Sequence, residues 1–256
     1  MQAIQYQQGQ PCWIELAAQS TETAKPFYAA LFNWQLADIP LPDGAYTMFS
    51  IEGQNQGAMY QITAAMDFVQ PGWNIYFAVD DIDAAVARAL AAGGTVRLAP
   101  QQVGDAGRMA MLSDLEGAGF CLWQAGKHQG AASFGGSNSL CWVELACREP
   151  QKARQFYQAV LGWNIRVLED GKQPYSELSQ GDMTFGGILP MDEDWGDMPS
   201  HWMPYFSVSD SDAMLAMAQD LGASVCVPAT DIEGVGRFAV INDPQGAPLS
   251  VITLSC

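Results

Sequence analysis

Two aromatic–acidic pairs are the side chains most able to do chemistry in this sequence. Trp13 and Glu15 return as Trp142 and Glu144, a shift of 129 residues (142 − 13). The members of each pair stand two positions apart on an alternating strand, so both side chains point to the same face of a sheet. An indole beside a carboxylate predicts a surface that binds a polar or cationic small molecule. In the structural alternative, the tryptophan fills space and the glutamate pairs with an arginine. We favour this alternative because buried ionic pairs are often part of the scaffold.

Two arginines recur at the same shift. Arg108 and Arg237 each precede a strand that leads to an Asp-x-x-Gly turn. Either guanidinium could clamp an anion or a ligand carboxylate. The alternative is a bidentate brace for that turn or for Glu15 and Glu144, and it is favoured because one arginine per copy in an acidic protein needs a local partner. We therefore predict a structural ion pair at Arg108 and at Arg237.

A second strand in each half carries further pocket candidates. Side chains alternate along this strand, so Asn74 and Tyr76 should lie on the face opposite Phe77. A tyrosine hydroxyl gives an apolar cavity a polar handle. The candidates on this strand in the two halves are Asn74, Tyr76, Met203 and Tyr205.

Histidine chemistry has little support. The chain has two histidines, His128 in a predicted linker and His201 just before a strand, and neither recurs in the other half. A Ser-His-Asp or Cys-His arrangement is therefore not expected. The phosphate-binding patterns G-x-x-x-x-G-K-[ST] and G-x-G-x-x-G are also absent from the sequence.

The elements that must position these residues form a duplicated pattern. The 129-residue shift holds from Cys12 almost to the C-terminus, which indicates a duplicated domain because solenoid repeats are roughly 20–50 residues long. Each copy reads as two βαβββ units, with helices marked by capping residues and strands by Pro, Gly and Asp turns. We predict an α+β protein with a first domain at residues 9–126, a Gly/Ser-rich linker at 127–138 and a second domain at 139–256.

Charge and hydropathy exclude several partners. The 256 residues carry 11 Lys+Arg against 28 Asp+Glu, a net charge of −17, while 49% are hydrophobic. This composition supports two packed cores. The charge disfavours nucleic acid and anionic membrane surfaces, and no run of about 18 apolar residues is present to span a bilayer.

Cysteine usage and the first residues point to the cytoplasm. The six cysteines form no CxxC pair, and only Cys12 and Cys141 correspond between the copies. A disulfide framework would be expected to recur with the domain, so reduced and mostly buried thiols are predicted. The start has neither a basic nor an apolar signal-peptide region, so a cytoplasmic location is expected.

Several phrases resemble one known superfamily. They are Trp-x-Glu-Leu before a helix with Phe-Tyr, the segment 75–83, and the segment 235–247, which contains Asp243-Pro244-Gln245-Gly246. With four βαβββ units in series, the chain resembles the vicinal oxygen chelate superfamily of glyoxalases, bleomycin-resistance proteins and extradiol dioxygenases. Within it, the chain looks most like tandem glyoxalase-like proteins of bacteria. The resemblance implies tandem domains, each with two βαβββ units whose mixed sheet curls into a cup.

The resemblance also implies where metal ligands would stand. Catalytic members hold a divalent metal with His, Gln or Glu on the strands of the cup. The corresponding positions here carry an indole, an amide and a thiol in the first copy, and an indole, a thioether and a hydroxyl in the second. No metal and no cofactor are therefore expected. These positions are Trp13, Asn74, Cys121, Trp142, Met203 and Ser250.

The resulting functional hypothesis is binding without metal. As in bleomycin-resistance-type members, the cup would hold a small apolar or aromatic molecule. The first alternative is a glyoxalase- or dioxygenase-type enzyme with an unrecognised site, and the second is a scaffold whose cups are filled by their own side chains. Because the tandem copy can replace a dimer, a monomer is favoured over a homodimer. The candidate ligand-binding residues are Trp13, Glu15, Asn74, Tyr76, Cys121, Trp142, Glu144, Met203, Tyr205 and Ser250.

Overall fold

A computed structural model describes residues 4–42, 44–66, 69–168 and 174–255. Cys256, one of the six cysteines, lies outside the described residues. Among the described residues, no helix is both long enough and apolar enough to cross a membrane.

The first half of the chain contains two successive βαβββ units, as predicted. The first unit comprises β1 (Pro11–Ala18), α1 (Thr21–Phe32), β2 (Gln35–Leu41), β3 (Gly44–Ile51) and β4 (Gln54–Gln61). The second comprises β5 (Gly72–Ala78), α2 (Ile82–Ala91), β6 (Thr95–Val103), β7 (Gly107–Ser113) and β8 (Gly119–Ala125).

The second half has the same element order. Its first unit comprises β9 (Leu140–Cys147), α3 (Pro150–Leu161), β10 (Asn164–Leu168), β11 (Tyr175–Gln180) and β12 (Met183–Pro190). After a short 3-10 helix (Glu193–Trp195), its second unit comprises β13 (His201–Ser207), α4 (Ser211–Asp220), β14 (Ser224–Ile232), β15 (Gly236–Asn242) and β16 (Pro248–Leu254).

Each half contributes one mixed sheet of eight strands. The strand orders are β2-β3-β4-β1-β5-β8-β7-β6 and β10-β11-β12-β9-β13-β16-β15-β14. The hairpin strands pair antiparallel, whereas β1 pairs with β4 and β13 with β16 in parallel. The predicted α+β fold with two copies of paired βαβββ units is therefore confirmed.

Local sequence explains where the helices begin and end. The Ser20 hydroxyl accepts a hydrogen bond from the Thr23 N–H at the start of α1, and Asn33 ends this helix in the left-handed region with φ of 55°. Helix α3 instead begins with Pro150, whose missing N–H costs nothing at that position, and ends at Gly162 with φ of 78°.

Backbone contacts group the chain into two compact units that do not coincide with the halves. Unit 1 comprises Met1–Trp13, Ile75–Gly130 and Trp142–Met203. Unit 2 comprises Ile14–Asn74, Ala131–Cys141 and Pro204–Cys256. Each unit thus joins most of one βαβββ unit from each half, and the predicted division into domains at 9–126 and 139–256 stays a prediction.

Within each unit, a buried hydrogen bond joins the two halves of the chain. In unit 1, the Tyr157 hydroxyl on α3 donates to Asp114 at 3.0 Å, and the Trp202 indole donates to the Tyr157 hydroxyl at 2.9 Å. In unit 2, the Tyr28 hydroxyl on α1 donates to Asp243 at 3.0 Å. A helix from one half is thereby tied to an Asp-x-x-Gly turn from the other half.

Candidate functional site

Each sheet has one face covered by helices and one that we call the helix-free face. In unit 1, Phe77 contacts the rings of Trp163 and Trp202, so the alternating Tyr76 lies on the helix-free face. In unit 2, Phe206 contacts Phe32 of α1, which places Tyr205 on the helix-free face. The alternation inferred from the sequence therefore assigns these faces correctly.

A chain of hydrogen bonds joins three side chains on β9 and β11 in unit 1. Val143 between Trp142 and Glu144 is fully buried, so the two lie on the opposite, helix-free face of the second-half sheet. The Trp142 indole N–H donates to the Tyr175 hydroxyl at 3.1 Å, and that hydroxyl donates to Glu144 Oε2 at 2.8 Å. All three side chains are half-buried. Because the carboxylate and the indole face are partly exposed, this chain offers both an acceptor and an aromatic surface to a small molecule.

Gly187 makes room for the tyrosine of this chain. It lies on β12 directly opposite Glu144 in the strand pair, and a Cβ atom there would overlap the Tyr175 hydroxyl and ring. The absence of a side chain at this buried position lets the phenol lie across β12 toward Glu144. The present position of the Tyr175 hydroxyl therefore requires a glycine at position 187.

Unit 2 contains the counterpart from the first half. The Tyr46 hydroxyl donates to Glu15 Oε1, and the Asn74 amide donates to the Tyr60 hydroxyl at 3.2 Å. These four side chains are half-buried. The sequence reasoning missed Tyr46 and Tyr175 as partners of the two glutamates, although both tyrosines recur at the 129-residue shift.

The surroundings of Trp13 in unit 1 differ from those of Trp142. The His128 ring stands edge-on to Trp13 with centroids 4.4 Å apart, and it also contacts Trp123 at 5.7 Å. Trp13 is 4% exposed and Trp123 is 6% exposed. His128, which the sequence placed in a linker without a role, thus packs against the aromatic residues of this face.

His128 also makes a pH dependence of stability expected. Burial lowers the pKa of its imidazole from the ordinary value of 6.5, so the unfolded chain binds this proton more readily than the folded chain. The resulting stability is present above about pH 6.5 and is lost as the pH falls toward the lower folded pKa. We expect the free energy of unfolding to decrease between about pH 7.5 and 5.5, and to decrease less in His128→Gln.

Urea unfolding at both pH values measures this difference. His201→Gln is the matched control, because it alters the other histidine and should retain the wild-type decrease. An identical decrease in the free energy of unfolding of wild type and of His128→Gln would show that the buried imidazole of His128 is not its cause.

The remaining candidates of the inner strands are buried to different extents. Tyr76 is 2% exposed, Cys121 is 1% exposed and Met203 is half-buried. In unit 2, the Cys141 thiol donates to the Tyr205 carbonyl at 3.3 Å, and burial raises the pKa of this thiol to about 12. Ser250, which pairs with Tyr205 across the strands, is fully buried, and its hydroxyl has no hydrogen-bond partner among the described residues.

The two arginines form ion pairs, but with other partners than the glutamates considered from sequence. Arg108 makes a bidentate pair with Asp83 at 2.7 and 3.0 Å, in the first turn of α2. Arg237 pairs in the same way with Asp212 of α4 and also contacts Asp231 at 3.0 Å. The hydrogen bonds of Glu15 and Glu144 described above come instead from tyrosine hydroxyls.

The donor set does not fit a divalent metal. Among the described residues, no group of three or more His, Cys, Asp or Glu side chains is arranged to hold a metal ion. At the positions implied by the resemblance, indole and thioether groups are poor ligands for hard cations, and the Cys121 thiol is buried. The residues present therefore offer no recognisable metal centre in the part of the chain that the structure describes.

A surface cavity of about 440 Å³ lies in unit 1 beside the acidic segment 191–199. The Arg148 guanidinium donates to the carbonyls of Gly196 and Met198, at 2.6 and 3.1 Å. Glu116 accepts from the backbone N–H groups of Arg148 and Glu149. The Arg148 contacts hold the segment against the residue that precedes α3 by two positions.

Comparison with known proteins agrees with this architecture. The family model described as "Glyoxalase-like domain" matches residues 13–123 and 142–252. The chain belongs to the glyoxalase-like family. With one such domain in each half, this glyoxalase-like protein is a tandem member of the vicinal oxygen chelate superfamily.

Three similar proteins illustrate the relationship. "Putative glyoxylase CFP32" of Mycobacterium bovis is 40% identical over 252 residues, covering 97% of this chain and 96% of the relative. "Anthracycline biosynthesis protein DauV" of Streptomyces sp. (strain C5) is 33% identical over 261 residues, covering 96% and 94%. The structure of a Mn(II)-bound glyoxalase from Novosphingobium aromaticivorans is 17% identical with a TM-score of 0.63, covers 97% and 82%, and supports the fold alone.

Proposed function

We propose that this glyoxalase-like protein binds a small neutral aromatic molecule, without a metal, at Trp142, Tyr175 and Glu144. The observation that carries the proposal is the half-buried hydrogen-bonded chain of these three side chains on the helix-free face of unit 1. The indole provides a surface on which an aromatic ring can stack. Tyr175 holds the carboxylate in a fixed orientation beside that surface.

The charge of the site defines the ligand further. An ionised carboxylate only accepts hydrogen bonds, so Glu144 selects a ligand that carries a hydroxyl or amino donor. The protein has a net charge of −17, which disfavours anionic ligands through long-range repulsion. Both conditions admit a neutral or a cationic aromatic compound with at least one donor group. We propose the neutral class, because the desolvation of a cation on binding is more costly.

Further observations support the proposal. The indole and thioether groups at the implied ligand positions are poor ligands for hard cations, which supports binding without a metal. One relative is named for anthracycline biosynthesis, and anthracyclines are aromatic compounds. Five described cysteines are free thiols, which supports a reducing compartment such as the cytoplasm.

Calorimetric titration with 2-naphthol tests this function, because the probe is neutral, aromatic and carries one hydroxyl donor. We expect saturable binding that raises the melting temperature and is unchanged after dialysis against EDTA. Naphthalene-2-sulfonate, which has the same ring and a negative charge, should bind at least about tenfold more weakly. Trp142→Ala and Glu144→Gln should each weaken 2-naphthol binding by about tenfold, the effect of losing roughly 1.4 kcal/mol.

Glu149→Gln provides the matched control, because it makes the same change of charge at an exposed position in unit 1. It should leave the affinity for 2-naphthol unchanged. The proposal is rejected if wild type does not bind 2-naphthol, or if Glu144→Gln and Glu149→Gln bind it equally. Binding that disappears with EDTA would instead indicate a metal centre.

A further inference from the structure

The two repeated tryptophans of unit 1 differ in accessibility, and this difference bears on the proposed function. Trp142 is half-buried, whereas Trp13 is 4% exposed. The residues therefore occupy equivalent sequence positions but do not offer equivalent surfaces. An aromatic ligand can stack on an indole only if one of its faces can be reached.

Residues 126–130, which we call the strap, are held by hydrogen bonds to the β6–β7 turn. The N–H groups of Gly126 and His128 both donate to the Ala106 carbonyl, at 2.8 and 3.0 Å, and the Lys127 N–H donates to the Asp105 carbonyl at 2.9 Å. The Trp123 indole donates to the His128 carbonyl at 3.0 Å. Three of the five residues, 126–128, are thus held in position through their backbone groups.

Both ends of the strap also fit closely against the protein. A Cβ atom at Gly126 would lie 2.7 Å from the Asp105 carbonyl oxygen, and one at Gly130 would overlap the Cys12 carbonyl oxygen. Glycine at these two positions lets the strap approach the backbone closely. The consequence is that the imidazole of His128 is directed onto Trp13 at a centroid distance of 4.4 Å.

We propose that the strap closes the binding surface around Trp13, so that the chain binds one aromatic ligand, at Trp142 only. His128 is the residue that determines this selection, since its ring occupies the place against Trp13 that a ligand ring would take. The inference rests on the proposed function and narrows it to one of the two repeated positions. Trp13 in the first half then has a packing role only, whereas Trp142 in the second half binds the ligand.

Titration of wild type and His128→Gly with 2-naphthol tests the selection. Wild type should bind one molecule per chain, and Trp142→Ala should weaken this binding by about tenfold, as stated above. His128→Gly should bind a second molecule, because the glycine removes the ring from Trp13 while the backbone bonds of the strap remain. His201→Gly, which removes the other histidine, should still bind one molecule.

A second measurement, of the accessibility of the tryptophans, does not depend on 2-naphthol. Acrylamide quenching should reach a larger fraction of the tryptophan fluorescence in His128→Gly than in wild type or His201→Gly. Two molecules bound to wild type, or no gain in quenching and stoichiometry for a folded His128→Gly, would overturn the inference while the proposed function stands. Absence of 2-naphthol binding by wild type would instead reject the proposed function, and with it the single-site inference.

Discussion

Asp114→Ala is expected to lower the free energy of unfolding by about 3 kcal/mol, because it leaves several buried donors without an acceptor. One oxygen of this carboxylate accepts from the N–H groups of Glu116 and Ala118, and the other accepts from the Tyr157 hydroxyl. Asp114 is 6% exposed, so water cannot readily replace its carboxylate. For a chain of this size, the melting temperature should fall by roughly 6–12 °C.

Charge alone does not decide whether Asp114→Ala raises or lowers the free energy of unfolding. Burial raises the pKa of Asp114, so the ionised carboxyl carries a desolvation cost that its removal would relieve. We expect the loss to dominate because three donors are orphaned at once, including the hydroxyl that also accepts from Trp202. Thermal unfolding followed by circular dichroism measures the balance.

The duplicated fold supplies matched controls. Asp243 accepts from the N–H groups of Gln245 and Ala247 and from the Tyr28 hydroxyl in unit 2, so Asp243→Ala should destabilise to a similar extent. Leu115→Ala alters the same turn as Asp114 at a side chain that is 43% exposed, and should change the melting temperature little. A melting temperature for Asp114→Ala equal to that of Leu115→Ala would show that the buried bonds do not stabilise unit 1.

The hydrogen bond from Tyr28 to Asp243 shows which part of the fold the sequence could not predict. Periodicity and turn residues were sufficient to predict the βαβββ order and to predict that Phe77 and Tyr76 lie on opposite faces of the sheet. They could not predict that Tyr28 reaches Asp243, which is 215 residues away in the chain. Helical spacing shows only that Tyr28 is buried, and does not show which turn lies above its hydroxyl. The grouping of the chain into units 1 and 2 depends on this kind of long-range contact.

The site shows the same limit. Alternation placed Trp142 and Glu144 on one face, but the partner of the glutamate was expected to be an arginine. Arg108 and Arg237 instead form bidentate ion pairs with aspartates in the first turns of helices, Asp83 and Asp212. The position of His128 was also unpredictable, since a linker composition rich in Gly and Ser indicates flexibility, whereas backbone hydrogen bonds determine its path.

Gly187→Ala is expected to weaken 2-naphthol binding by about tenfold, although a glycine has no side chain to contact a ligand. The new methyl group would occupy the position of the Tyr175 hydroxyl and force the phenol aside. The hydrogen bond from Trp142 to the Tyr175 hydroxyl would then be lost. A bond to Glu144 can form again after the phenol moves, because Tyr46 donates to Glu15 beside Ala58 in the first half. The loss of the one bond from Trp142 and of the fixed position of the phenol, together about 1.4 kcal/mol, corresponds to the expected loss of affinity.

Stability should change much less than affinity in this variant. The group that must move is the far end of a rotatable side chain on a half-exposed surface, so the strands themselves need not shift. The first half supports this argument, because Ala58 stands opposite Glu15 in the β1–β4 pair and is accommodated there. Ala58→Gly is therefore the reciprocal control and should leave 2-naphthol binding unchanged. If Gly187→Ala bound 2-naphthol as wild type does, the orientation of Tyr175 would have no part in ligand binding, and Glu144 and Trp142 alone would have to account for it.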